Sequence, residues 1–199
     1  MSEELYAGDA VFFHGTSIFA RSIEKYTEVP YTHGGLRIEK NFSTSLEFNG
    51  FWKGGSFILH DLNNLQEEYV RHIIRIPKGI SSLQRQAIKI LNEEVPKKYD
   101  VRLLLKLRKR YGAKKTPNLD DLSREGEFSC LSRMRTIYSM IGFTFCPRVH
   151  ISQTAAIHYL EAEEFETDPE TPKDNPNYFD KKEGGPIKKW VLERVNGIL

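Results

Sequence analysis

The chain has 199 residues, with 29 Lys and Arg against 27 Asp and Glu, a formal charge of +2. A balance this even makes no electrostatic case for nucleic acid, and the length suits a single domain over residues 1–199 with a sizeable core. The start, "MSEELYAGDAVFF", is acidic where an export signal is basic, and no apolar stretch approaches membrane-spanning length, so a soluble, cytoplasmic type of protein without a signal peptide is expected.

In chain order, "GDAVFFHG" reads as a turn and a buried strand with Val11, Phe12 and Phe13 as its body. Behind a Thr16 or Ser17 cap, Ile18, Phe19, Ile23 and Tyr26 recur at helical spacing, which predicts a short helix. "HGGLRIE" and "SFILHDL" are the next strands, joined by the Asn-, Gly- and Ser-rich "KNFSTSLEFNGFWKGG", which reads as a connection. Paired antiparallel, these two strands would bring His33 near His60 and Asp61. "YVRHIIRIP" is a third strand candidate ended by Pro77, and the Ser81 to Gln84 capping box opens a helix over "SSLQRQAIKILNEEV".

A further helix is expected from about Asp100 through "VRLLLKLRKRYG", then a mobile surface loop over 113–127. "FSCLSRMRTIYSMIGF" resumes the helical period through Leu131, Met134, Ile137, Tyr138 and Ile141, with Ser129 as cap and Cys130 in the first turn. A last small helix is expected in "ISQTAAIHYLEAEEF", followed by a poorly ordered loop over 166–186 and a closing strand or helix in "IKKWVLERV".

Two cysteines are too few for a disulfide framework, and no CxxC or HxxxH spacing near them suggests zinc, so neither a metal nor an organic cofactor is expected. Cys130 stands where unsatisfied N–H groups and the positive end of the helix dipole favour a thiolate. An imidazole beside it would take the thiol proton and return it to a leaving group, and His33 is the candidate. Successive strand residues face opposite ways, so one of Asp61 and His60 can orient that ring. Asp61 is preferred because a carboxylate fixes the tautomer and stabilises an imidazolium, with His60 as the alternative. Cys146, before Pro147, reads as structural, and His14, His72, His150 and His158 have ordinary readings, His14 alone also being placed to face a cleft. The basic run Lys106, Arg108, Lys109, Arg110, Lys114 and Lys115 reads as a solvated face rather than a nucleic-acid site.

Gly8-Asp9 before a strand, Thr32-His33-Gly34-Gly35-Leu36, Tyr99-Asp100 and Cys130-Leu131-Ser132 occur in an order that resembles the permuted papain-like, NlpC-related thiol hydrolases, in their YiiX/YebB-like branch, over about Gly8 to Ile157. The resemblance implies an α+β fold in which a small antiparallel sheet or barrel packs against helices, circularly permuted so that the histidine strand precedes the cysteine helix. It implies a cysteine-dependent hydrolase or acyltransferase acting on an amide or ester of a peptide or lipid substrate, with Cys130 as nucleophile and His33 as base. The chain departs from the family pattern at Gly34, where a bulky residue is usual, and at Leu131 and Ser132, which replace Ser and Glu. An inactive binding or structural module on the same fold is the alternative that those departures imply.

Overall fold

Strand β1 (Ala10–Gly15) alternates so strictly that it divides the protein's interior in two. Ala10 and Phe12 enter one buried cluster with Leu36, Met134, Ile137, Tyr138, Tyr159 and Phe165. Val11 and Phe13 enter another with Leu62 and Ile74. Both faces are covered, which is why this strand reads as a continuous apolar run.

The computed structural model describes residues 6–15, 20, 23–24, 29–48, 55–65, 69–95, 98–99, 127–149, 151, 154–169 and 171. Around β1 lie β2 (His33–Glu39), β3 (Phe42–Phe48), β4 (Gly55–Asp61), β5 (Tyr69–Pro77) and β8 (Phe165–Thr167), in the six-stranded order β4-β3-β2-β1-β5-β8. Every neighbouring pair in this sheet is antiparallel. β6 (Lys98–Tyr99) and β7 (Glu127–Phe128) form a separate parallel pair. Three helices complete the described elements: α1 (Ser82–Glu94), α2 (Cys130–Met140) and α3 (Ala156–Leu160). The fold is α+β, and none of these helices is long and apolar enough to cross a membrane.

The structure corrects the expected pairing of the His33 strand with "SFILHDL". β3 lies between them, paired with β2 through Gly35 and Ser45 and with β4 through Ser43 and His60. The Asn, Gly and Ser content of "KNFSTSLEFNGFWKGG" gives the segment the look of a connection, yet Thr44 and Leu46 alternate with Ser43, Ser45 and Glu47, which is the strand period. Another difference falls at the end of the described chain. Phe165–Thr167, partly within the expected loop, pair with β5, and the buried Asp168 bonds Arg37 at 2.8 Å. The expected helices at Ile18 to Tyr26 and after Asp100, the remainder of the two expected loops and the basic run lie largely or wholly outside the described residues.

Buried charges tie the frame together. Arg37 donates to Asp168 at 2.8 Å and to Asp9 at 3.4 Å, and Arg85 of α1 donates to Asp9 at 2.9 Å. Gly8 takes a φ of +90°, and a Cβ there would overlap Ile88 of α1. Tyr138 of α2 donates to the Gly8 carbonyl at 2.6 Å. Gly8-Asp9 therefore acts as a clamp between sheet and helices.

Candidate active site

Helix α2 begins where local sequence makes it begin. The Ser129 hydroxyl accepts the Ser132 N–H at 3.1 Å, and Ser132 Oγ accepts the Ser129 N–H at 2.8 Å. This reciprocal box is usually closed by Glu or Gln at the third helical position, and here Ser132 fills that position. Ser132 in that position thus closes the cap. Cys130 occupies the first turn and is buried.

The helix can approach β2 because residue 34 has no side chain. A Cβ on Gly34 would stand 2.5 Å from Leu131 Cδ2 and 3.1 Å from Met134 Sδ, both on α2. Leu131 fills the volume that Gly34 leaves, so the two residues complement each other. Gly35 serves the opposite neighbour, since a Cβ there would overlap the Thr44 carbonyl of β3. Neither glycine has a positive φ, so the pair is explained by close approach of chain to chain.

This approach brings Cys130 into hydrogen-bonding contact with His33. Burial by itself would push the Cys130 thiol up, but the His33 charge and hydrogen bond, with the N–H groups of Gly34 and Leu131, bring it below its ordinary value. Burial by itself would lower His33, but the Cys130 sulfur and Glu47 overcome it and raise the ring to about 10. The favoured state is a buried thiolate–imidazolium pair.

Glu47, the residue that sequence reasoning missed, completes the cluster. Its Oε1 lies 3.4 Å from His33 Nε2 and 3.0 Å from His60 Nε2. Tyr69 and Ser45 donate to the same oxygen at 2.8 and 3.3 Å. Burial opposes ionisation of this carboxyl, yet the two histidines and Tyr69 hold it well below the usual carboxylate range. Because Nε2 of His33 faces Glu47, Nδ1 is left for the Cys130 sulfur. Phe13 forms an apolar wall, with ring centroids 6.0 Å from His33, 4.8 Å from His60 and 5.1 Å from Tyr69.

Asp61, expected to orient His33, is placed elsewhere. It pairs with Phe42, one residue out of phase with the Ser43–His60 pair, so strand alternation sets it on the face opposite Glu47. Its Oδ1 accepts the Asn63 N–H at 2.9 Å in the turn after β4. His60, the alternative, does reach the cluster, with Ser45 Oγ 2.6 Å from its Nε2, but it contacts Glu47 rather than standing in its place. The signal for Glu47 is the alternation in "FSTSLEF", with an acid on the Ser face, opposite His33 by continuation of the Gly35–Ser45 register.

Other candidates behave as structural groups. Cys146 donates weakly to the His158 carbonyl at 3.5 Å, and burial raises its thiol. His158 Nδ1 accepts the Ala155 N–H at 2.8 Å, and His14 sits 3.8 Å from Glu24. The donor atoms of His33, Glu47 and His60 all lie within 4.8 Å of one another, a set able to hold a metal ion. Inspection of the cysteines for zinc spacing could not find it, since these ligands come from three different strands.

No protein-family model and no curated protein matches the chain. Among solved structures it is similar to the metalloprotein yiiX from Escherichia coli O157:H7, DUF1105, with a TM-score of 0.41 and 14% identity over 83% of this chain and 97% of that one.

Proposed function

We propose that the chain is a thiol hydrolase or acyltransferase of the permuted papain-like kind, in which Cys130, His33 and Glu47 form the catalytic array. The observation that carries this reading is the contact of a capped, helix-start cysteine with a histidine whose other nitrogen faces a buried carboxylate. A nucleophile, a base and an orienting group in series are what acyl transfer through sulfur requires.

In this reading the Cys130 thiolate attacks the carbonyl carbon of an amide or ester, and the carbonyl π electrons move onto oxygen. The backbone N–H of Cys130 at the start of α2 supports that oxyanion. Collapse breaks the bond to the amine or alcohol, which takes the His33 proton and departs, leaving a thioester on Cys130. His33, now neutral, accepts a proton from water or an acceptor alcohol or amine as it attacks the thioester. Collapse then releases the acyl product and restores the thiolate–imidazolium pair. Glu47 keeps the ring turned and supports its charge; Tyr69 and Ser45 hold Glu47 through their hydroxyls.

Parallel incubation with small electrophilic amide-type and ester-type acyl probes tests the reading. Intact-mass analysis should show one adduct on Cys130, absent in Cys130→Ala and strongly slowed in His33→Ala. Equal modification of Cys130 and Cys146, insensitive to His33→Ala, removes the catalytic reading and favours a binding module.

A further inference from the structure

We propose that His33, Glu47 and His60 form a binding site for one divalent transition-metal ion of the zinc class, on the side of His33 away from Cys130. Glu47 Oε1 stands 3.4 Å from His33 Nε2 and 3.0 Å from His60 Nε2. Tetrahedral zinc with bonds of about 2.0–2.1 Å sets adjacent donor atoms about 3.3 Å apart, so the two measured separations bracket the required one. The side chains are 13%, 10% and 1% exposed for His33, Glu47 and His60, so the ligands are already shielded and held.

The hydrogen bonding around the cluster supports a central cation. Four polar groups converge on Glu47 Oε1: two imidazoles, the Tyr69 hydroxyl and the Ser45 hydroxyl. Even so, His33 Nε2 is buried and makes no hydrogen bond, Glu47 Oε1 standing 3.4 Å away. A cation among the three donors would use that nitrogen and draw on the negative charge at the carboxylate. Two imidazoles and one carboxylate suit zinc, cobalt(II) or iron(II) better than magnesium or calcium, which prefer oxygen. Tyr69 donates to Glu47 and so stands as an outer partner that fixes the ligand's direction.

The site goes beyond the thiol reading and shares two residues with it. In thiol chemistry His33 Nε2 carries a proton toward Glu47; in metal binding the same atom needs its lone pair. A ring bound to metal through Nε2 also releases its remaining proton much less readily than an imidazolium does. The metal-bound form is therefore an idle form of the hydrolase, and occupancy of Nε2 decides between them.

The test uses the full chain, stripped with a chelator and titrated with cobalt(II), then with zinc(II) in competition. The expected result is saturation at one equivalent, with visible d–d bands of a four- or five-coordinate nitrogen and oxygen site and no thiolate charge-transfer band. Cys130→Ala should keep the spectrum and His60→Gln should lose it. Zinc-edge X-ray absorption of the wild type should show two imidazoles and no sulfur, a measurement independent of how the variants fold. Absence of saturable binding, an unchanged spectrum in His60→Gln, or a sulfur scatterer overturns the proposal. Labelling of Cys130 in the metal-free protein is a separate readout, so the thiol reading can fail while the metal site stands, and the reverse.

Discussion

Gly34→Ala offers a sharp test because a single methyl group is placed at the contact that sets Cys130 against His33. Its carbon would lie 2.5 Å from Leu131 Cδ2 and 3.1 Å from Met134 Sδ. Carbon atoms in contact settle at about 3.5–4.0 Å, so the start of α2 or the Leu131 side chain must give by roughly 1 Å. Leu131 is 8% exposed and Met134 2%, which leaves little room for the side chains to yield alone. Gly34 has no positive φ, so alanine adds no backbone strain and in an open site would stabilise by about 0.4–1 kcal/mol. Overpacking costs about 1–3 kcal/mol, and the net expectation is a loss of about 1 kcal/mol by urea unfolding. The larger effect is on reactivity. Moving Cys130 off His33 and the Gly34 N–H returns the thiol toward an ordinary or higher pKa, which lowers the thiolate fraction and with it the rate of iodoacetamide labelling at pH 7. Leu131→Ala in the same chain removes the clashing atom, so the double variant should be more stable than the two single losses predict, with a coupling of about 0.5–3 kcal/mol. Wild-type labelling in Gly34→Ala together with strict additivity would refute the argument that this close approach sets the thiol.

Glu47→Gln keeps the shape but removes the charge that supports His33, and should slow any acyl turnover by about 10²-fold or more, whereas Asp61→Asn, which lies in the turn after β4, should leave turnover and labelling as they are. The pH profile of Cys130 labelling follows from the two shifts: the thiol is lowered from its ordinary 9.0 and His33 is raised to about 10, so labelling should reach its plateau at lower pH than an ordinary thiol does and hold it until the imidazolium is lost near 10. Glu47 helps raise His33, so Glu47→Gln should bring the upper edge of that plateau to lower pH; an unmoved edge would show that the carboxylate does not support the ring. Ser129→Ala removes the α2 cap and should cost about 1 kcal/mol, measured by thermal or urea unfolding, with slower Cys130 labelling; a change in stability without one in labelling would separate the cap from the site.

Short-range physics is legible along the chain before any fold is known. The Ser129 cap and the helical period from Leu131 to Tyr138 place Cys130 in a first helical turn, because capping involves residues three apart. The apolar run at Val11 to Phe13 marks a strand buried on both faces, and the glycines after His33 announce a close approach. What only the tertiary structure decided is which chains make that approach and what stands beyond His33. The insertion of β3 between β2 and β4 is a choice among strand pairings of similar local quality, made by how well whole faces bury. It put Glu47 opposite His33, and strand alternation with the β3–β4 register then turned His60 toward the cluster and Asp61 away. Thirteen and fourteen residues of sequence separate the histidines from Glu47, a distance over which no local rule operates; the sheet closes it to a few ångströms.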